Sequence, residues 1–273
     1  MPIITIYRGA FTAGEEIAKG VAQALGYRCV SREVLVEASR SYGISEAKLN
    51  EILEKEPHWW QRWLENMRPY RIALQAAMYE VAQGGNVVYH GHIGHELLPG
   101  IRHVLKVMLT APLEFRIKQV QSQQRLDEGK ARRYIDHVDE ARTRRLMALF
   151  GTDWRDVTRY DLVLNVAQVG IEGVTRVIVE AARLVRYQPT AASEQDFQNL
   201  ALASRVQAAL VMSPFRSLGI AVRAENGEVH VSGMCTYSVP EEEIVSLVKR
   251  IPGVTNVVTD FTVIPADMGE GYY

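Results

Sequence analysis

The residues between positions 8 and 18 have the types and spacing of a phosphate-binding loop. A short β-rich segment, 3–7, leads into a glycine-containing stretch, and a helical apolar pattern begins a few residues later. Backbone N–H groups in such a loop, together with a helix N-terminus, can hold phosphate. The candidate positions are Gly9, Thr12, Ala13 and Gly14. The loop lacks the lysine and adjacent Ser or Thr that usually reach the terminal phosphates and Mg²⁺.

The same residues also allow a purely structural interpretation. Thr12 and Glu15 have the spacing of a capping box, in which the Thr12 hydroxyl accepts from the Glu15 N–H and the Glu15 carboxylate accepts from the Thr12 N–H. The helix would then already hold an anion, and a phosphate placed there would be repelled by Glu15 and Glu16. The residues alone leave both interpretations open.

A basic segment, 125–145, is the second candidate for anion chemistry. It contains seven Lys and Arg residues against five Asp and Glu residues. On a helix, Asp139 with Arg142 and Glu140 with Arg144 would form ordinary i,i+3 and i,i+4 pairs. A solvated, salt-bridged face is therefore the alternative to an anion site.

Three histidines, His90, His92 and His95, are close together in the sequence. Imidazole suits zinc, copper or nickel. However, no cysteine or carboxylate completes a known ligand spacing, so we predict no metal site and interpret His92 as a pocket residue.

Three tryptophans, Trp59, Trp60 and Trp63, lie within six residues of sequence. Such a cluster usually packs in a core. Stacking on a nucleotide base and a homodimer contact are the two other interpretations.

Strands and helices alternate along the first two thirds of the chain. Short apolar strands are predicted at 3–7, 86–90, 104–109 and 160–165, and helical patterns separate them. Near-continuous apolar strands that alternate with helices favour a parallel sheet covered on both faces. We therefore expect an α/β domain over residues 1–188.

The composition changes after Pro189. A small polar stretch, 189–196, is predicted as a linker, and a helix-strand-strand-helix-strand pattern follows over 197–266. Asn226-Gly227 between alternating strands predicts a β-hairpin. Residues 267–273 are expected to form a tail, and the segments on either side of the linker are each expected to fold alone.

The overall composition limits the partners. The chain has 273 residues and a formal charge of -1, so no bulk field attracts nucleic acid or an anionic membrane. No apolar run reaches the ~18 residues needed for a membrane span, and no export signal is recognisable. Cys29 and Cys235 stand far apart in apolar contexts typical of reduced thiols. We expect a cytoplasmic protein that binds no nucleic acid and does not span a membrane.

Five segments together resemble the cytidylate kinase-like family, a branch of the nucleoside monophosphate kinases with the P-loop NTPase fold. The resemblance covers about 1–185 and occurs in the family's order. The matching segments are the loop with Arg8, Gly14, Glu16, Ile17 and Ala18, then Asn-Val-Val-Tyr-His-Gly-His at 86–92, Thr-Ala-Pro-Leu-Glu-Phe-Arg at 110–116, Asp-Glu-Ala-Arg at 139–142 and Tyr-Asp-Leu-Val-Leu-Asn at 160–165.

This resemblance implies phosphoryl transfer from ATP with Mg²⁺ to a nucleoside monophosphate of the CMP or dCMP type. It implies that the loop 9–14 holds the ATP phosphates and that the basic segment is a lid. The lid residues implied to clamp the transferred group are Arg132, Arg133 and Arg142, and those implied to hold the monophosphate are Ser31, Arg32, Gly91 and His92.

The chain also departs from the family's pattern. Phe11 replaces a glycine, Glu15 a basic residue, Ser31 an acid and His92 an arginine. Phosphoryl transfer depends almost entirely on charge placement, and one such cation is worth ~10³ to 10⁵ in rate where it is known. The alternative is therefore a weak or inactive nucleotide or ligand sensor.

The C-terminal module resembles a BON domain over about 197–265. The resemblance rests on alternating strands at 220–224 and 227–233 and on the Ile-Pro-Gly-Val turn at 251–254. BON domains are non-catalytic binding modules, so the resemblance implies a site for an unknown small ligand or a unit for homodimer formation. In the sensor alternative, this module carries the output.

Overall fold

The computed structural model describes residues 2–49, 67–213, 218–236 and 241–264. The interpretations of Trp59, Trp60 and Trp63 fall outside these residues. The described strands are β1 (Ile3–Arg8), β2 (Arg28–Val30), β3 (Val87–Gly91), β4 (Val104–Thr110), β5 (Leu162–Asn165), β6 (Leu218–Glu225), β7 (Glu228–Thr236) and β8 (Asn256–Ile264). The helices are α1 (Gly14–Leu25), α2 (Glu33–Tyr42), α3 (Met67–Ala82), α4 (Gly94–Leu97), α5 (Leu113–Gln124), α6 (Glu128–Phe150), α7 (Val166–Arg183), α8 (Ala191–Val211) and α9 (Glu241–Lys249).

The first compact unit is built on a five-stranded parallel sheet in the order β2-β3-β1-β4-β5. Strand β1 is central and almost fully buried, which its β-branched sequence favours. Helices α1 and α7 cover one face through Ile17, Val21, Val174 and Ile178. The α/β class predicted from the alternating pattern is confirmed. All the strands point the same way, so the segments after β1, β2 and β3 meet at one edge.

The second compact unit contains a three-stranded sheet in the order β6-β7-β8, with β6 and β7 antiparallel and β7 and β8 parallel. Asn226 and Gly227 have φ values of 50° and 89°, as a two-residue hairpin turn requires, and the predicted hairpin is confirmed. Val229 and Val231 of β7 form its core together with residues of α8 and α9.

The division into units is not contiguous in sequence. The first unit comprises the described residues of 2–34 and 82–190, and the second those of 35–49, 67–81 and 191–264. Within the second unit, Ile72 and Ala76 of α3 pack against Ala208 of α8. The ring of Tyr79 contacts that of Phe197 edge-on at 5.3 Å. Helices α2 and α3 are thus grouped with the C-terminal segment, although the sequence places them between β2 and β3.

The segment predicted as a linker is partly helical. Helix α8 begins at Ala191, so only the first residues of 189–196 precede it. The domain boundaries at 188 and 197 remain predictions. Within the part of the chain that the structure covers, no helix combines the length and apolarity that a membrane crossing needs.

Candidate active site

The loop between β1 and α1 has a tightly constrained backbone. The Gly9 N–H donates to the Leu109 carbonyl at 3.1 Å, and a Cβ at Gly9 would lie 2.6 Å from that oxygen. A Cβ at Gly14 would collide with the Arg8 side chain. Both glycines are therefore required by close backbone approach. Phe11 and Ala13 adopt left-handed conformations, with φ values of 60° and 54°, which cost non-glycine residues about 1–2 kcal/mol each.

The predicted capping box is wrong. Left-handed Ala13 occupies the N-cap position of α1, and no side chain caps the helix. Thr12 is buried, and its hydroxyl donates backward to the Gly9 carbonyl at 2.9 Å. Thr12 therefore fixes the loop rather than the helix end. The sequence spacing could not show this, because it does not reveal the backbone conformation at position 13.

A cavity of about 890 Å³ lies beside the loop. All four predicted phosphate-binding residues line it. The charged side chains that line it are Arg8, Glu15, Glu16, Lys19 and Arg142. A cavity bounded by loop backbone, a helix N-terminus and three cations is suited to an anionic group.

Glu15 is paired rather than free. Its Oε1 lies 2.7 Å from Lys19 Nζ, and its Oε2 lies 3.8 Å from Arg8 Nη1. The hydrogen bond and charge of Lys19 lower the pKa of the Glu15 carboxyl, which stays ionised. Lys19 was not among the predicted site residues. Its signal in the sequence is the i,i+4 spacing from Glu15.

Arg142 points to the loop and not to solvent. It is half-buried, its Nη1 donates to the Arg8 carbonyl at 3.1 Å, and its Nη2 lies 3.3 Å from His92 Nε2. Burial lowers its pKa. Arg132, Arg133 and Arg142 are the predicted lid residues, and all three are described by the structure. Only Arg142 of these three lines the cavity. Asp139, which was expected to pair with Arg142, instead pairs with another arginine.

That partner is Arg116, at the start of α5. Both Asp139 oxygens accept from Arg116 Nη2 at 2.8 Å, and Arg116 Nε donates to the Ala10 carbonyl at 2.9 Å. Arg116 thereby ties the loop to α6. The other predicted pair does form, since Arg144 lies 2.8 Å from Glu140.

Arg132 and Arg133 are exposed on α6 and do not line the cavity. They precede Arg142 by about three turns of helix, or roughly 15 Å along the axis. The described geometry brings neither of them to the loop. Their role as a clamp remains a prediction.

The predicted monophosphate residues lie at the edge where β2 and β3 end. Val30 pairs with Tyr89, so Ser31, which follows β2, and Gly91, the last residue of β3, both lie at this edge. The Ser31 N–H donates to Glu33 Oε2 at 2.6 Å. A Cβ at Gly91 would collide with the Tyr89 hydroxyl, so close packing requires glycine there. Arg32 is exposed at the same turn.

His92 and His95 belong to a buried aromatic cluster that the sequence did not predict. Tyr7 stacks on Trp154 at 5.3 Å and meets His95 edge-on at 5.5 Å. His95 Nε2 lies 3.2 Å from the Tyr160 hydroxyl. Burial lowers the pKa of His95 to about 4 and that of His92 well below its usual value, so both rings are neutral near pH 7. The only sequence signal was the aromatic character of these scattered positions.

No group of three or more His, Cys, Asp or Glu residues in the described ranges is arranged to hold a metal ion. His92 instead contacts Arg142, and His95 contacts Tyr160.

Comparison with known proteins identifies both parts of the chain. Residues 3–168 match the model of the cytidylate kinase-like family, and residues 199–265 match that of the BON domain. A cytidylate kinase from Ignicoccus hospitalis is 31% identical over 179 residues, which cover 65% of this chain and 97% of that protein. A cytidylate kinase from Staphylothermus marinus is 29% identical over 164 residues, which cover 60% of this chain and 86% of that protein.

A crystal structure of an uncharacterized protein from Eubacterium ventriosum is similar in fold. It has a TM-score of 0.51 and 17% identity, and the match covers 66% of this chain and 97% of that chain. The two chains thus share the fold of the first unit, a five-stranded parallel sheet flanked by helices. The relatives support a nucleoside monophosphate kinase-like function. The chain therefore belongs to the cytidylate kinase-like family and carries a C-terminal BON domain.

Proposed function

We propose that this protein is an ATP-dependent nucleoside monophosphate kinase of the CMP or dCMP type. The observation that carries the proposal is the position of Arg142, whose guanidinium lies against the Arg8 carbonyl and lines the same cavity as the loop 9–14. A cation beside a phosphate-binding loop is what phosphoryl transfer requires, because charge placement supplies most of the catalysis.

In this proposal, the ATP phosphates lie against the loop backbone and the N-terminus of α1. The left-handed residues Phe11 and Ala13 shape the loop, and Arg116 holds it through the Ala10 carbonyl. Arg142 contacts the transferred group. Because its Nη1 donates to a backbone carbonyl, the guanidinium is oriented before the substrate arrives.

The residues present are compatible with Mg²⁺. Glu15 presents a carboxylate to the cavity, and Mg²⁺ is usually bound by one or two carboxylates together with substrate phosphates. When bound, Mg²⁺ would neutralise charge on the phosphates. Glu15 is the residue that would hold it.

The acceptor monophosphate is proposed to lie at the ends of β2 and β3, near Ser31, Arg32, Gly91 and His92. Since His92 is neutral near pH 7, it would contribute a directed hydrogen bond and not a charge. Arg142, 3.3 Å from His92 Nε2, would then be the main cation shared by donor and acceptor.

A second candidate is a nucleotide sensor with little or no turnover, whose output passes to the BON domain or to a homodimer. The pairing of Glu15 with Arg8 and Lys19 favours it, because two of the three cations in the cavity are already bound to a carboxylate.

A coupled phosphotransfer assay with ATP and Mg²⁺ across CMP, UMP, AMP and GMP, together with calorimetry of the same nucleotides, tests both candidates. Turnover that prefers CMP supports the kinase. Turnover that is lost in Arg142→Ala but kept in Arg176→Ala, a change at an exposed residue outside the cavity, supports the assigned site. Nucleotide binding without turnover supports the sensor. Absence of both binding and turnover would refute both.

A further inference from the structure

In a simple anion site, cationic side chains face an open cavity, but two of the three cations around this loop face a carboxylate. Arg8 and Lys19 both face Glu15, at 3.8 and 2.7 Å, and all three side chains line the cavity. Arg142 is held by neutral groups, the Arg8 carbonyl and the His92 ring. In the described structure, Glu15 thus takes the position that an anionic ligand would take next to two of the three cations.

Glu15 is well placed to exchange partners. Its side chain is 55% exposed and that of Lys19 66%, so neither is locked by packing. Exposed ion pairs are weak and form and break readily. A phosphate that approaches Arg8 and Lys19 must therefore either displace Glu15 or share the two cations with a carboxylate, which it repels.

We propose that Glu15 is an internal competitor for phosphate, and that a divalent cation bound by the Glu15 carboxylate relieves this competition and frees Arg8 and Lys19 for the phosphates of a nucleotide. This proposal rests on the proposed function, and it names the metal-dependent step of that site. A divalent cation held by the Glu15 carboxylate would supply positive charge where the carboxylate otherwise repels a phosphate. Glu15 would act as a positioning residue for the metal and not as a residue that contacts the transferred group.

The proposal makes a prediction that a simple loop site does not share. Removal of the Glu15 charge should strengthen nucleotide binding in the absence of metal, because Arg8 and Lys19 become available. It should also reduce the factor by which a divalent cation raises nucleotide affinity, because the cation loses its carboxylate ligand. The expected gain in metal-free affinity is about 2- to 30-fold, which is what two exposed ion pairs contribute together.

The experiment is calorimetry of ADP binding to the full chain, with EDTA and with MgCl₂, for the wild type, Glu15→Gln and Glu180→Gln. Glu180 is a matched control, because it forms an exposed pair with Arg183 at 2.7 Å on α7 and does not line the cavity. We expect Glu15→Gln to bind ADP more tightly than the wild type in EDTA. We also expect MgCl₂ to raise the ADP affinity of Glu15→Gln by a smaller factor than that of the wild type. Glu180→Gln should match the wild type in both conditions.

Other results would overturn the proposal. Glu15 does not compete with phosphate if Glu15→Gln binds ADP in EDTA no better than the wild type and if MgCl₂ raises the ADP affinity of both proteins by the same factor. In that case nucleotide binding itself persists, and the proposed function stands. If the wild type binds ADP in neither condition, the proposed function falls together with this inference.

Discussion

Replacement of Arg142 by alanine separates a phosphate-binding residue from a structural one. The guanidinium donates to the Arg8 carbonyl and lies beside His92, and it faces the cavity. Arg176 of α7 is exposed, pairs with Glu172 and does not line the cavity, so Arg176→Ala is the matched control. Arg142→Lys keeps the charge but cannot reproduce the planar set of donors.

The structure sets the size of the expected effects. A hydrogen bond from a charged donor contributes about 1.5 to 3 kcal/mol, so Arg142→Ala should lower the free energy of unfolding by that amount through the lost contact to Arg8. If the guanidinium also contacts the transferred phosphoryl group, ATP affinity should fall by more than tenfold, equivalent to about 1.4 kcal/mol. Arg176→Ala should stay within about 0.5 kcal/mol of the wild type in stability and should leave ATP affinity unchanged.

Urea unfolding and calorimetry with ATP and Mg²⁺, in the absence of an acceptor monophosphate, measure the two effects separately. We expect Arg142→Ala to lose both stability and affinity and Arg142→Lys to recover part of the affinity. A stable Arg142→Ala variant with wild-type ATP affinity would refute the assignment of this residue to the site. A loss of stability alone would restrict Arg142 to holding the loop.

Three further predictions follow from the packing. Arg116→Ala should lower the unfolding free energy by about 3 kcal/mol or more, since it leaves the partly buried Asp139 without its cation, and an unchanged urea midpoint would contradict this. Burial lowers the pKa of His95 to about 4, so its contribution to stability is complete above the unfolded value of ~6.5 and is lost as the pH falls toward 4, by up to about 3 kcal/mol. In His95→Phe, the urea midpoint should therefore vary less with pH across that range than in the wild type. An unchanged pH dependence would argue against a neutral buried ring. A fragment of residues 194–273, which the sequence predicts to fold alone, should melt below the full chain because it lacks α3, and an equal melting temperature would show that α3 adds nothing.

Local patterns were sufficient to predict most of the elements. The strands of the first unit are short apolar runs, and Asn226-Gly227 requires positive φ at two consecutive positions, which few other residue pairs allow. The partner of α3 could not be predicted in the same way. Its apolar face shows that the helix must be covered, but nothing in its own sequence indicates that α8, more than a hundred residues later, covers part of it.

The same limit applies to the site. Gly9 and Gly14 were predicted from residue type, and the structure places both where a Cβ would collide. Thr12 was assigned to a capping box because spacing alone cannot show that Ala13 is left-handed. Arg142 was assigned either to phosphate or to Asp139. The choice between them depends on Arg116, which is remote in sequence and takes the Asp139 carboxylate.

The balance of charge in the cavity bears on how the site can function at all. Its lining contains three cations and two carboxylates, so the side chains provide little net positive charge for a nucleotide that carries several negative charges. Loop N–H groups and the N-terminus of α1 add partial charges, but these are screened where the cavity opens to solvent. In the proposed function, we therefore expect nucleotide binding at this loop to depend on a bound divalent cation more strongly than it would with a lysine in place of Glu15. Phe11 and Glu15, which replace a glycine and a basic residue of the family's pattern, weaken the loop as a direct phosphate site. They would then make the fraction of protein with bound nucleotide depend on metal concentration, whether the nucleotide is turned over or only sensed.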